Sequence, residues 1–169
     1  MKNKNTFEKF IKNKIYSLDK LEIISKKKKN SKSKIILCHG TFDLLHAGHI
    51  EMLREAKDQC EYLICALQID PSVDRKEKNK PVQTIVERYT QLEAVKFVDE
   101  VIPYLHEKDL EDILQMRQIS VRILGEEYRD KDFTGRDICK ARDIELHFNK
   151  RDHRFSTSGL RKRVEDAHS

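Results

Sequence analysis

Short apolar runs alternate along this chain with segments whose apolar residues recur at three- and four-residue spacing. The runs have the length and composition of buried parallel strands. The predicted strands are Ile35–Cys38, Tyr62–Leu67, a third within Phe97–Pro103, Val121–Leu124 and Ile144–Phe148. Strands that alternate with helices favour an α/β fold, a Rossmann-like parallel five-stranded sheet with flanking helices.

Helices are expected between these strands and at both ends of the chain. The first follows His49, and Thr84 is placed to cap the second. The others are predicted over Asp109–Gln115, over Asp137–Ala141, after Ser156 and, in the first 34 residues, around Phe7–Ile15 and Leu18–Ile24.

Composition indicates one soluble domain. The chain has 169 residues, 38% hydrophobic and 37% charged. No apolar run is long enough to cross a membrane, and the first residues lack the apolar core of a secretion signal, so we expect a cytoplasmic protein with no membrane span. Its four cysteines show no zinc-ligand spacing, which favours free thiols and leaves no metal site clearly assigned to protein side chains.

Positive charge is concentrated in the first 34 residues. They hold twelve lysines against Glu8, Asp19 and Glu22, a balance of +9, so residues 35–169 balance to −4. We therefore divide the chain into a basic helical extension and linker, 1–34, and a main domain, 35–169. A basic extension can attract nucleic acid, but a lysine-rich helix end is more often simply solvated, and we expect no nucleic-acid partner.

The polar turn from Gly40 to His49 lies between the first strand and the first helix. Ligands of open α/β sheets bind at the carboxyl ends of the strands, and the start of a helix offers free N–H groups to phosphate. His46 and His49 add further donors. A helix cap beside two ordinary histidines would explain each residue taken alone.

Taken together, T-F-D followed by H-x-G-H resembles the signature of the nucleotidyltransferase superfamily, which contains cytidylyltransferases and small adenylyltransferases. The resemblance implies the nucleotidylyl transferase fold. It also implies that His46 and His49 are catalytic, contacting the triphosphate and stabilising charge in the transition state, and that Gly48 allows close approach of phosphate. The implied nucleotide-binding residues of this turn are Gly40, Thr41, Phe42, Asp43 and Gly48, with Asp43 also facing the substrate.

A second similarity is the spacing between a lysine in the loop 71–81 and an arginine ten residues later. It implies that Lys78 reaches the phosphates from a mobile loop, with Lys80 as the alternative, and that Arg88 anchors the substrate. Phe97 stands where relatives that act on choline phosphate have tryptophan, which makes it a candidate substrate contact, although core packing explains it better.

The last two similarities follow the fourth and fifth strands. Gly125 and Glu126 resemble the glycine and acidic residue of glycerol-3-phosphate enzymes and are expected to bind nucleotide. The segment 151–158 resembles R-T-E-G-I-S-T-T, which implies a catalytic Arg151 and nucleotide contacts from Ser156 and Thr157. Positions 152–154 depart from that pattern.

The resemblance as a whole is strongest to glycerol-3-phosphate cytidylyltransferases. It implies transfer of CMP from CTP to a small phosphomonoester such as glycerol 3-phosphate, with release of pyrophosphate. Mg²⁺ would accompany the nucleotide, the product would be a precursor of a cell-surface polymer, and the protein would be a homodimer.

Two alternatives stay open. The start of the chain loosely resembles the cytidylyltransferase-fold module of ADP-heptose synthases, which implies adenylyl transfer from ATP to a sugar phosphate such as a heptose phosphate. A catalytically silent binding module is the third possibility, against which the intact His46, His49, Lys78 and Arg151 argue.

Overall fold

The computed structural model describes residues 33–150 and 155–168. The predicted helices of the first 32 residues lie outside this part of the chain, as does Arg151. The division at residue 34 therefore stays a prediction.

The predicted sheet is confirmed. Its five strands are all parallel, in the order β3-β2-β1-β4-β5. The strands are β1 Ile35–Gly40, β2 Tyr62–Gln68, β3 Glu100–Tyr104, β4 Val121–Gly125 and β5 Glu145–Asn149. β1 runs two residues further than predicted, and the third strand begins at Glu100, after Phe97 rather than with it.

Five α-helices and one short 3₁₀ helix connect the strands and follow the last of them in the described part of the chain. They are α1 Ala47–Lys57, α2 Ile85–Glu93, α3 Glu107–Met116, the 3₁₀ helix Glu126–Tyr128, α4 Arg136–Ala141 and α5 Thr157–Asp166. Thr84 caps α2 as predicted, with Glu87 completing a capping box. None of the helices in the described ranges is long and apolar enough to cross a bilayer.

The helices cover both faces of the sheet, and each face has its own core. Even-numbered residues of β1, such as Ile36, pack with Leu53 of α1 and Leu92 of α2. Odd-numbered residues, such as Leu37, pack with Leu114 of α3 and with α4. The strand order reverses between β1 and β4, so a crevice forms where their carboxyl ends diverge.

Candidate active site

A cavity of about 700 Å³ lies over the carboxyl ends of the strands, the edge at which the sequence predicts ligand binding. We distinguish two ends, named here by their residues. The histidine end comprises Gly40, Thr41, His46, Gly48, His49, Ser156 and Thr157. The arginine end, on the face covered by α3 and α4, comprises His39, Gln68, Arg75, Tyr104, Glu107 and Arg122.

The turn between β1 and α1 has a constrained backbone. Phe42 and Leu44 have φ values of 48° and 50°, in the left-handed region that side chains other than glycine seldom adopt. The Phe42 ring is buried in the core, and the Leu44 N–H donates to the side chain of Gln83 at 2.8 Å. Packing and hydrogen bonding thus hold a conformation that the isolated chain would disfavour.

Asp43 lies between these two residues and connects three segments of the chain. Its carboxylate accepts from the N–H groups of Val82 and Gln83, each at 3.0 Å, and from Arg161 of α5 at 2.7 Å. Burial alone would raise the pKa of Asp43, but these donors outweigh it and hold the pKa below the ordinary value of 3.8. The predicted direct contact of Asp43 with nucleotide or substrate stays a prediction, since in this structure both carboxylate oxygens have partners within the protein.

His46 and His49 form a capping box at the start of α1. Nδ1 of His46 accepts from the Gly48 N–H at 3.1 Å, and Nδ1 of His49 accepts from the His46 N–H at 3.4 Å. The rings stack with centroids 3.9 Å apart. Because each Nδ1 is an acceptor, a neutral ring carries its proton on Nε2, which is therefore the donor atom that either ring offers to a ligand.

The start of α5 meets this histidine pair. The Thr157 hydroxyl lies 3.3 Å from Nε2 of His46 and 3.4 Å from the carbonyl oxygen of Asp43. Ser156 caps α5 by accepting from the Gly159 N–H at 3.1 Å. Two helix N-termini, those of α1 and α5, thus border the histidine end and favour a bound anion there.

Lys78 lies on the polar loop between β2 and α2 and lines the cavity, as do Gly125, Phe42 and Asp43. Lys80 is on the same loop but does not line it. Of the two lysines, Lys78 is therefore the one at the cavity, and its predicted contact with the phosphates stays a prediction.

Arg88 occupies a different place from the one predicted. It is only 2% exposed and does not line the cavity. Its guanidinium donates to four backbone carbonyls, those of Thr41 (2.8 Å), Gln68 (2.7 Å), Ile69 (2.6 Å) and Gln83 (3.2 Å). The carbonyls of Thr41, Gln68 and Ile69 lie at or just beyond the ends of β1 and β2, and that of Gln83 precedes α2. Arg88 therefore supports the cavity wall from behind rather than lining the cavity.

Two other predicted contacts lie off the cavity. Phe97 precedes β3, at the sheet edge opposite the ligand side, and packs against the core. Glu126 pairs with Arg129 at 2.6 Å and does not line the cavity, whereas Glu127 does. The Glu127 carboxylate folds over Gly125, where an added Cβ would lie 2.3 Å from its Oε2.

Sequence reasoning missed the arginine end entirely. His39 and Arg122 lie on β1 and β4, with His39 Nε2 3.1 Å from an Nη atom of Arg122. Burial, followed by the positive charges of Arg122 and Arg75, lowers the pKa of His39 to about 3, so the ring is neutral and accepts this hydrogen bond. In the sequence, the only sign of this end is that polar residues stand within or next to apolar strands. Such residues have no fixed spacing that could be recognised as a motif.

Comparison with known proteins identifies the family of this chain. The cytidylyltransferase-like family model matches residues 37–163. The chain is 34% identical over 165 residues to the bifunctional protein HldE of Campylobacter jejuni serotype O:6, which covers 97% of this chain and 33% of that protein. It is 32% identical over 137 residues to the bifunctional protein HldE of Helicobacter hepaticus, with 80% and 28% covered. The chain thus spans about a third of the length of the curated relatives it matches.

Solved structures share the fold. A lipopolysaccharide core biosynthesis protein from Thermoplasma volcanium superposes with a TM-score of 0.54 at 23% identity, covering 70% of this chain and 96% of the other. Pantothenate synthetase from Thermus thermophilus gives a TM-score of 0.50 at 11% identity, covering 70% and 56%.

Proposed function

Because this chain belongs to the cytidylyltransferase-like family of nucleotidyltransferases, we propose that it transfers a nucleotidyl group from a nucleoside triphosphate to a sugar phosphate. The observation that carries this proposal is the arrangement of His46 and His49. Both rings lie at the start of α1 and line the cavity. Their Nδ1 atoms accept from backbone N–H groups, so a neutral ring would donate to a phosphate oxygen through Nε2.

The reaction we propose needs no protein nucleophile. An oxygen of the acceptor phosphate attacks the α-phosphorus of the nucleotide, the bond from that phosphorus to its β-bridging oxygen breaks, and pyrophosphate leaves. Positioning and neutralisation of the developing charge govern such transfers. His46 and His49, together with the two helix N-termini, would stabilise the transition state. Lys78 would approach from its loop, and the role of Arg151 stays a prediction.

We favour ATP as the donor and a sugar phosphate, such as a heptose phosphate, as the acceptor. Curated relatives are named bifunctional protein HldE, and a lipopolysaccharide core biosynthesis protein shares the fold. The resemblance of the chain's start to ADP-heptose synthases supports the same choice. The polar groups at the arginine end suit a hydroxyl-rich acceptor.

CTP with glycerol 3-phosphate is the second candidate. It is supported by two segments, G-T-F-D-L-L-H at residues 40–46 and V-D-E-V at residues 98–101, which resemble the glycerol-3-phosphate enzymes more than other branches. Either reaction would supply a nucleotide-activated precursor for a cell-surface polymer.

We propose that Mg²⁺ arrives with the nucleotide phosphates. In the described part of the chain no three His, Cys, Asp or Glu side chains cluster as a metal site, and Asp43 already has partners for both oxygens. When bound, the ion would neutralise phosphate charge. A homodimer, a cytoplasmic location and the absence of a nucleic-acid partner stay predictions.

Pyrophosphate release is the direct test. The protein should be assayed with ATP and with CTP against mannose 1-phosphate, glucose 1,6-bisphosphate, a heptose 1-phosphate and glycerol 3-phosphate. Release with ATP and a sugar phosphate supports the first candidate, and release with CTP and glycerol 3-phosphate supports the second. Absence of release across the whole panel by a folded protein would overturn nucleotidyl transfer and favour a silent binding module.

A further inference from the structure

Arg122 is a buried cation that faces the cavity. Its side chain lies on β4 and is 1% exposed, yet it lines the arginine end. One Nη donates to the Thr134 carbonyl at 2.6 Å and the other meets His39 at 3.1 Å. No described residue forms an ion pair with it, and its Nε–H has no hydrogen-bond partner in the described ranges.

Arg75 brings a second guanidinium to the same place. It donates to Gln68 at 3.0 Å and lies 3.3 Å from Glu107, while its buried Nε–H also lacks a partner among the described residues. Both arginines act on the pKa values of His39 and Tyr104, so their positive charges converge on one region. Glu107 is the only carboxylate of the described residues that contacts either guanidinium.

Two carboxylates, Glu107 and Asp74, line the cavity beside Arg75, but neither forms an ion pair with Arg122 among the described residues. A buried guanidinium without a counter-ion is costly, and an unsatisfied buried N–H adds to that cost. His39, held neutral, accepts one hydrogen bond but supplies no negative charge. An oxyanion at the arginine end would supply the ion-pair partner that Arg122 lacks and a second one for Arg75, which already pairs with Glu107, and arginine is well suited to bind phosphate or carboxylate.

We infer that the arginine end binds a second anionic group of the acceptor, a phosphate or a carboxylate, in addition to the phosphate that reacts at the histidine end. The inference rests on the proposed function, because it takes the molecule in this cavity to be the acceptor. The acceptor would therefore be a sugar carrying two anionic groups. Arg122 and Arg75 would determine specificity, and His39 would position Arg122.

Arg122 also has a purely structural interpretation, which the chain allows us to test separately. Its guanidinium lies 5.2 Å from the centroid of the Phe133 ring, and Arg136 lies 4.3 Å from the same ring. Arg136 also donates to backbone carbonyls of this loop, including that of Lys131, but it does not line the cavity. Arg136→Met is thus a matched control, since it removes a loop-holding arginine without touching the arginine end.

Calorimetric titration of the full chain tests the inference. The probes are glucose 1-phosphate, glucose 1,6-bisphosphate and glucuronic acid 1-phosphate, at constant ionic strength. The bisphosphate or the glucuronate should bind at least about tenfold more tightly than the monophosphate to the wild type and to Arg136→Met. In Arg122→Met the preference should fall to within about twofold. Tighter binding of glucose 1,6-bisphosphate would identify the second group as a phosphate, and tighter binding of glucuronic acid 1-phosphate would identify it as a carboxylate.

Two results would overturn the inference: no preference in the wild type, or an equal preference in the wild type and Arg122→Met. Should Arg122→Met fail to fold, Arg75→Gln carries the same comparison at a less buried position. A ¹⁵N spectrum adds a direct measurement, since inorganic phosphate should shift the Nε–H signals of Arg75 and Arg122 saturably, and unmoved signals would contradict the inference. Binding requires no turnover, so its failure is distinguishable from failure of the pyrophosphate assay.

Discussion

The two ends of the cavity differ in how their polar side chains are held. At the histidine end, His46 and His49 are fixed through Nδ1 by backbone N–H groups at a helix start, and Nε2 of His46 also lies 3.3 Å from the Thr157 hydroxyl. At the arginine end, Arg122 and Gln68 lie within β-strands, and their neighbours are side chains from distant segments. One end is built locally along the chain, and the other is assembled by the fold.

This difference explains why only one end has a sequence signature. A capping box fixes the spacing of its residues, because residues N-cap and N3 must face each other across one helical turn. Contacts between strands fix no such spacing, since His39 and Arg122 are 83 positions apart. We therefore expect the histidine end to determine the chemistry and the arginine end to determine the acceptor.

The largest effect is expected from Arg88, which supports both ends at once. Arg88→Met should lower the free energy of unfolding by about 3–5 kcal/mol, because four carbonyls lose a buried charged donor. Urea unfolding measures this change. The control is Arg54→Met, an exposed residue paired with Glu51, which should change stability by less than about 1 kcal/mol. Equal effects of the two substitutions would contradict the assignment.

The histidine pair should come next. His49→Ala should lower kcat by about 10²–10³-fold, the usual effect of losing one transition-state donor. His46→Asn is a sharper variant, because its amide oxygen can still cap α1 while the Nε2 donor is lost. Turnover is measured by pyrophosphate release, with the exposed His168→Ala as control. Near wild-type kcat in folded His46→Asn would show that His46 acts only as a cap.

Asp43 should make stability depend on pH. The pKa of Asp43 is lower in the folded state than its ordinary value of 3.8. Its contribution to the free energy of unfolding is therefore complete above pH 3.8 and is lost as the pH falls through the folded-state pKa. The loss amounts to about 1.4 kcal/mol for each unit between the two pKa values. Asp43→Asn should be less stable than wild type at pH 7 and should lose less stability on acidification. Parallel curves of unfolding free energy against pH would rule out this contribution.

A smaller, local effect is expected at Lys78. If its loop closes over bound nucleotide, ATP or CTP should slow hydrogen exchange within residues 71–81. The strand residues 62–68 serve as the internal control, because they are already protected by the sheet. Identical exchange with and without nucleotide would make the loop a static part of the surface.

The smallest effect is expected from removing the basic extension. A protein that begins at Ser31 should keep kcat within about twofold, because every cavity residue named above follows that position. A tether based on charge would instead weaken steeply with salt. Loss of turnover in the folded, shortened protein would place a residue of the extension in the active site.

The sequence predicted the fold better than the site. Apolar runs located all five strands, since a parallel sheet buried on both faces imposes that pattern. The motif located His46 and His49 because their spacing is local. Arg88 was assigned to the substrate by analogy, whereas the structure buries it behind the cavity wall. Phe97 packs against the core, the better of the two explanations offered for it. The sequence shows burial only indirectly. The arginine end required knowledge of which strands are neighbours.

The reversal of strand order between β1 and β4 also bears on how inhibitors of this protein could be made. Because the two ends lie towards opposite faces of the sheet, a small fragment fits one end and leaves the other vacant. Fragment screening should therefore yield two chemically different series. One would consist of anions that accept hydrogen bonds at the start of α1, and the other of polyols or acids that bind beside β4. A linker passing over Gly40 would join them, and the second fragment would then bind at the high effective concentration that tethering provides.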